Sequence, residues 1–201
     1  SLLFVLAGFV MTVVLWSLTP ISLAQSPQLS HRPALWAQQP MESQNWVQPP
    51  LATRGADIVD RTGRSLLLRG VNWFGFETED HVAHGLWKRN YKELITQVKD
   101  LGYNFIRLPY SVQLVLGNET RVKGIDVNLN PDLNGKRPLD VMDAIIQEAG
   151  RQGIMILLDS HRLNNKTIPA LWYGDDFTEQ DWITAWTNLA MRYKDQRNVI
   201  G

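Results

Sequence analysis

The sequence predicts an α/β fold with parallel strands, arranged as in a parallel barrel, and three stretches carry the prediction. Leu68-Arg-Gly-Val-Asn-Trp-Phe-Gly-Phe-Glu77, Asn104-Phe-Ile-Arg-Leu-Pro109 and Ile156-Leu-Leu-Asp-Ser-His-Arg162 are apolar runs whose last residues turn polar or aromatic. Helix-like patterns separate them. A parallel barrel keeps its strands apolar and places its chemistry at their C-terminal ends. Trp73, Arg107 and His161, at or near three such ends, are therefore the first candidates for function.

The opening fifty residues read differently from the rest. Ser1 to Leu18 is almost wholly apolar, and no ionisable side chain precedes His31. Ser22 and Ala24 follow at the spacing a signal peptidase reads, which predicts a secretory signal over residues 1–24, cut after Ala24. Residues 2–18 also come close to the length of a membrane span, so an uncleaved anchor is the alternative. The first residue is not Met and no basic segment leads the apolar run, so this reading expects a truncated start. Residues 25–50, with six Gln and five Pro, predict a flexible linker.

From Leu51 the elements follow in order. Asp57-Ile-Val-Asp60, a turn at Arg61-Thr-Gly-Arg64 and Ser65-Leu-Leu-Leu68 predict a hairpin leading into a strand at Val71–Phe74. Tyr91, Leu94, Ile95, Val98 and Leu101 recur at helical spacing from about Asn90, and Gly102 suits a left-handed helix end. Asn104–Pro109 reads as a buried strand that ends at Pro109, because proline cannot continue a central ladder. Tyr110–Arg137 reads as a long polar loop. Pro138 suits a first helical turn, and Val141, Met142, Ile145, Ile146 and Ala149 make the next stripe, closed by Gly153. The unbroken Ile154–Leu158 is a strand covered on both faces, followed by a loop over about Ser160–Phe177. Thr178 with Asp181 marks the cap of a third helix with an inner face of Trp182, Trp186, Leu189, Ala190 and Tyr193. Asn198-Val-Ile200 looks like the opening of a fourth strand. Strands and helices in alternation argue for a parallel sheet.

Composition narrows the function. Lys plus Arg and Asp plus Glu balance at twenty each, and one of each, Arg32 and Glu42, precedes Leu51. A neutral domain offers no electrostatic footing for nucleic acid or anionic membranes. Cysteine is absent, which excludes disulfides, thiolate nucleophiles and zinc–thiolate sites.

Among single residues, Arg107 sits at the end of a strand that is otherwise buried and needs a partner, since an unpaired buried charge is very costly. It serves either a structural ion pair at the barrel rim or the orientation of a catalytic carboxylate. Asp159 and His161, two apart on a strand end, project to one side. They fit a metal pair, a hydrogen-bonded substrate clamp or a satisfied buried pair. A catalytic metal would need a third protein ligand, for which the folded region offers only His81 and His84 as further histidines. Trp182 and Trp186 read as core. Trp73, Trp87 and Trp172 fit core packing and stacking on the C–H-rich face of a sugar equally well.

Taken together, Leu68–Thr78, His84-Gly-Leu-Trp87, Leu101-Gly-Tyr-Asn-Phe-Ile-Arg-Leu-Pro-Tyr110, Val141-Met-Asp143, Ile156–Arg162 and Ala170-Leu-Trp-Tyr173 resemble glycoside hydrolase family 5, nearest to its secreted bacterial endo-β-1,4-glucanases. The resemblance covers about Leu51 to Gly201. It implies a (β/α)8 TIM barrel, of which the hairpin, about strands one to four and three helices are encoded here. It also implies retaining hydrolysis of internal β-1,4-glucosidic bonds by two glutamates, with no metal and no cofactor. Carried onto this sequence, Arg107 matches the arginine that hydrogen-bonds the nucleophile, and His161 the histidine that contacts the sugar at the cleavage point. Trp73, His84, Tyr110 and Trp172 match the substrate face. Glu77, Glu79 and Asp159 match neither catalytic glutamate; the family carries those at the ends of strands four and seven, and the chain is expected to stop at Gly201 short of both.

The implied partner is a β-glucan polysaccharide, with no obligate protein partner and with membrane contact only through an uncleaved N-terminal segment. A β-mannanase or other β-glycanase of the same family is the neighbouring reading. A carbohydrate-binding protein without catalysis is the reading from another class.

Overall fold

The computed structural model describes residues 47–117, 122–174 and 176–201. The signal or anchor expected over residues 1–24, and the linker as far as residue 46, lie outside the described residues. The packed body starts earlier than the expected Leu51. Val47 is buried, the Gln48 carbonyl accepts the Arg61 N–H at 3.0 Å, and Gln48 Oε1 accepts from Arg61 Nε at 2.9 Å.

A small antiparallel meander comes first: β1 (Ala52–Arg54), β2 (Asp57–Val59) and β3 (Ser65–Leu66). The sequence reading anticipates β2 and β3 but not β1, which pairs with β2 across a turn at Gly55. The β2–β3 turn is organised by one carboxylate. Asp60 Oδ1 accepts from Thr62 Oγ1 at 2.6 Å, Thr62 N–H at 2.9 Å and Arg64 N–H at 3.3 Å. Gly63 supplies the left-handed residue at φ +82°.

The second sheet is parallel, in the order β4 (Gly70–Asn72), β5 (Phe105–Ser111), β6 (Met155–Arg162). Register runs Asn72 opposite Arg107 and Pro109 opposite Asp159. Ile156 bridges Val199 in parallel, and Leu158 N–H donates to the Gly201 carbonyl at 2.8 Å, so the expected fourth strand opens beside β6.

The strand β5 does not stop at Pro109 as the sequence suggests; it continues to Ser111. Trp73 N–H donates to the Arg107 carbonyl at 3.0 Å, so the odd-numbered backbone groups of β5 face β4. The N–H that Pro109 lacks would face the gap between Asn72, where β4 ends, and Phe76, which bridges Tyr110 in parallel, so no ladder bond is lost there. Likewise β6 runs on to Arg162, through residues expected to form a loop.

Helices α1 (Tyr91–Asp100), α3 (Pro138–Gln152) and α4 (Glu179–Tyr193) fall where the apolar stripes place them. Asn90 caps α1 by accepting the Lys92 N–H at 2.8 Å, and Gly102 follows at φ +83°. Pro138 is the first residue of α3, and Gly153 closes it in the left-handed region. Thr178 and Asp181 form a reciprocal capping box for α4. On α4 the buried residues are Ala185, Leu189 and Tyr193, with Trp182 and Trp186 partly buried against the core. Ala190, expected inside, is exposed, because it lies about 100° round the helix from Leu189.

The expected polar loop also contains a helix, α2 (Val112–Leu116), capped by Ser111 Oγ on the Leu114 N–H at 3.2 Å. Its apolar run is too short to show a helical period.

The core lies between the sheet and the helices. Ile106, Leu108 and Tyr110 of β5, with Ile156 and Leu158 of β6, are buried there together with Met142, Ile145, Ile146 and Leu189. The alternate residues Arg107, Leu157, Asp159 and His161 project from the other face and keep partial exposure. At the base of that face Gly70 is required by close approach, since a Cβ there would lie 2.4 Å from the Phe105 ring.

Candidate active site

Three side chains meet where β5 and β6 run out. Arg107 Nη2 donates to Asp159 Oδ2 at 2.6 Å, and His161 Nδ1 lies 2.9 Å from that same oxygen. Arg107 Nη2 and His161 Nδ1 are 3.3 Å apart. Asn72, opposite Arg107 at the end of β4, accepts from Arg107 Nη1 at 3.2 Å. Each of the three side chains is roughly two-thirds covered, with 30%, 27% and 32% of Arg107, Asp159 and His161 accessible. A guanidinium in such a place needs a compensating carboxylate, which Asp159 supplies. With five N–H groups it still keeps donors for a further acceptor. Asp159 and His161 thus form a hydrogen-bonded pair. Among the described residues no group of three or more His, Cys, Asp or Glu side chains converges as a metal site would require.

The loop after β4, which starts at the Trp73 N–H bonded to the Arg107 carbonyl, builds an aromatic wall. Trp73 Nε1 donates to the His84 carbonyl at 2.8 Å, and the His84 N–H donates to the Phe74 carbonyl at 2.9 Å. The His84 ring lies 4.2 Å from the Phe74 ring and 5.2 Å from that of Trp87. Its Nε2 is 3.0 Å from Asp80 Oδ2. His84 is therefore placed as a brace for three aromatic side chains, two of which, Phe74 and Trp87, are about half exposed. Gly75 at φ +136° makes the turn possible, since a Cβ there would sit 2.1 Å from the Val82 carbonyl oxygen.

Trp172 stands on the loop after β6, about half exposed, with its ring edge on Tyr173 and Nε1 donating to Glu179 Oε1 at 3.2 Å. Tyr110 is placed elsewhere. It has no accessible surface and packs edge-on against Trp186 at 5.5 Å, on the helix side of the sheet. Desolvation there pushes its phenol above the ordinary tyrosine range. Strand alternation accounts for this, because residues 107 and 110, three apart, point to opposite faces. Ending the strand at Pro109 in the sequence reading hid that parity.

Of the acidic residues set aside on sequence grounds, Glu77 is buried and takes the Gly75 N–H on Oε2 at 2.7 Å, so it holds the turn. Glu79 is exposed. Asp143, within one of the recognised motifs, ties α3 to α4 by accepting from Arg192 Nε at 2.8 Å and from the Tyr193 hydroxyl at 2.9 Å. Asn72 and Asp80 were not anticipated. The signal for Asn72 was its place as the last polar residue of a strand in register with Arg107.

The family model for cellulase, glycosyl hydrolase family 5, matches residues 59–201. The chain belongs to glycosyl hydrolase family 5. It is 39% identical to an endoglucanase of Paenibacillus polymyxa over 198 residues, covering 98% of this chain and 45% of that protein. It is 42% identical to the major extracellular endoglucanase of Xanthomonas campestris pv. campestris over 144 residues, covering 72% of this chain and 30% of the relative. The crystallised catalytic domain of the major endoglucanase from that organism aligns with TM-score 0.71 at 39% identity, over 76% of this chain and 44% of the domain. An endocellulase from Pyrococcus horikoshii, solved with cellotetraose, aligns with TM-score 0.70 at 46% identity, over 75% of this chain and 41% of the relative. The chain thus spans less than half the length of these family 5 relatives. The strands β4, β5 and β6 and the strand opening at Val199 belong to the family's barrel, and β1–β3 stand apart as a separate sheet.

Proposed function

We propose that this chain contributes the first strands of a secreted endo-β-1,4-glucanase that retains anomeric configuration. The observation that carries the reading is the Arg107–Asp159–His161 cluster, set at the C-terminal ends of adjacent parallel strands in a family 5 chain. In this reading Arg107 keeps N–H donors to hold the nucleophilic carboxylate ionised and aimed, and His161 meets a sugar hydroxyl at the cleavage point. The half-exposed Phe74, Trp87 and Trp172 offer apolar faces to an uncharged polysaccharide, while Trp73 packs against the core and braces the wall through its bond to the His84 carbonyl. Acid/base and nucleophilic roles fall to the glutamates of later barrel strands, whose carboxyl groups stand about 5 Å apart in retaining enzymes. The acidic groups near the cluster are already engaged, Asp159 by Arg107 and His161, Glu77 by its own turn.

The test is hydrolysis by the product of the complete gene. A fall in carboxymethylcellulose viscosity that outruns reducing-sugar release, with the β-anomer formed first, is the expected result. Cleavage of mannan in preference to glucan, or binding without cleavage, would overturn it. Secretion rests on the apolar segment at residues 2–18 and on Ser22 and Ala24. N-terminal sequencing of protein from the culture medium is expected to begin at Gln25, and recovery only in the membrane fraction would replace the signal by an anchor.

A further inference from the structure

We propose that Asp159 is a positioning residue: it fixes the proton of His161 on Nδ1 and so presents Nε2 to the sugar as a hydrogen-bond acceptor. The inference rests on the glycanase reading for the identity of the ligand, but not for the placement of the proton. A neutral imidazole carries one N–H and one lone pair, and its neighbours decide which nitrogen holds which. His161 Nδ1 has two neighbours within 3.3 Å, and they ask for opposite things. Asp159 Oδ2, at 2.9 Å, only accepts, whereas Arg107 Nη2, at 3.3 Å, only donates. The carboxylate is nearer and charged, and Arg107 has already turned an N–H onto it at 2.6 Å. Nδ1 therefore bears the proton and donates to Asp159.

The consequence reaches the far edge of the ring. Nε2 makes no hydrogen bond among the described residues, and about a third of the side chain is accessible. With the proton on Nδ1, Nε2 offers a lone pair, suited to a sugar hydroxyl that donates. Without the carboxylate, the charged neighbour left to Nδ1 among the described residues is Arg107, which cannot accept. Nδ1 would then take the guanidinium N–H on its lone pair, and the proton would move to Nε2. The outward nitrogen would change from acceptor to donor although His161 itself is untouched. One carboxylate oxygen thus orients two residues at once, the guanidinium and the imidazole.

The experiment reads the ring nitrogens directly, by long-range proton–nitrogen correlation on the 201-residue chain with labelled histidine. It is run at about pH 9, where an imidazole is neutral. The chain has four histidines, and loss of one signal set in His161→Gln assigns the ring. Wild type is expected to show the N–H type nitrogen at Nδ1, and Asp159→Ala to show it at Nε2. Asp159→Asn retains an oxygen that Arg107 keeps turned inward, so its proton should stay on Nδ1. A wild-type ring protonated at Nε2, or an Asp159→Ala ring still protonated at Nδ1, overturns the proposal. Should the alanine variant not fold, the wild-type and asparagine spectra decide. In the complete enzyme, Asp159→Ala should lower kcat/KM on cello-oligosaccharides by roughly tenfold or more, with asparagine restoring part of the loss. Nδ1 protonation without any glucan hydrolysis would reject the glycanase reading and leave the proton where it is assigned.

Discussion

Replacing Asn130 by alanine should destabilise this domain by about 3 kcal/mol, although the residue lies in a stretch that looks like loop. Its side chain has no accessible surface. Oδ1 accepts the Tyr91 N–H at 2.9 Å, where α1 begins. Nδ2 faces the carbonyls of Leu86 at 2.9 Å, Arg89 at 3.2 Å and Asp126 at 3.3 Å. Two N–H groups serve those three carbonyls, so the side chain makes about three hydrogen bonds, each worth about 1 kcal/mol net. The Leu86 and Asp126 carbonyls keep other donors, the N–H of Asp126 at 3.1 Å and of Leu129 and Asn130 at 3.2 and 2.9 Å. Tyr91 N–H and the Arg89 carbonyl lose what the side chain supplied, and a buried unpaired group costs about 1–3 kcal/mol. Both routes reach a similar figure. The matching fall in melting temperature is about 6–12 °C for a domain of this size. Urea unfolding followed by circular dichroism gives the free energy. Asn130→Asp should do more damage than alanine, because it turns a carboxylate onto three carbonyls. A loss under 1 kcal/mol for alanine, or a milder effect for aspartate, would refute the reasoning. Since the amide ties down the carbonyls of Leu86 and Arg89 on either side of Trp87, weaker oligosaccharide binding should accompany the loss.

Other expectations are briefer. In the complete enzyme Arg107→Ala should lower kcat by about 100-fold or more and raise KM little, because on the proposed reading the guanidinium aims the attacking carboxylate and does not bind the sugar; steady-state kinetics showing unchanged kcat would assign Arg107 to the ion pair alone. Tyr110→Phe should leave oligosaccharide affinity as it is, whereas Tyr110→Ala should cost about 3–5 kcal/mol of stability as a core truncation; titration calorimetry and urea melts separate the two. The Asp60 carboxyl is held down to about 2, chiefly by the Thr62 hydroxyl. A carboxylate whose folded pKa lies below its unfolded value stabilises above about pH 4 and loses that contribution as pH falls toward 2. Asp60→Ala should therefore flatten the acid limb of a stability–pH curve over that window, and an unchanged limb would refute the assignment.

Much of the scaffold was legible because its signals are periodic or positional. Helices α1, α3 and α4 follow from apolar stripes, and their ends from Asn90, Gly102, Pro138, Gly153, Thr178 and Asp181. Strand interiors at Ile106 and Ile156 follow from unbroken apolar runs. What stayed hidden depends on partners distant in sequence. Whether proline interrupts a ladder depends on where the neighbouring strand stops, and Asn72 decides that for Pro109. The helix α2 is nucleated by Ser111 and held by burial, with only five residues to display a pattern. Asn130 looks like any loop asparagine until residues thirty-nine and forty-four positions away come to surround it. At the site, the roles carried over from the family were tied to residue type, which is enough to select Arg107 and His161. The His161–Asp159 pair lies within a local window, but the dependence of Arg107 on the same carboxylate comes from a register between strands that no such window contains.

The alternation along β5 and β6 has a consequence for how such an enzyme can fail. Ile106, Leu108, Ile156 and Leu158 hold the helices, while Arg107, Leu157, Asp159 and His161 project from the opposite, partly exposed face. Substitutions that disturb the site therefore fall on one set of positions, and those that erode folding fall on the other. Sites separated by the thickness of a sheet and sharing no partner contribute nearly independently. A substitution at Arg107, Asp159 or His161 would therefore disable the site in a chain that still folds, whereas one at Ile106, Leu108, Ile156 or Leu158 would unfold a chain whose site residues are all present.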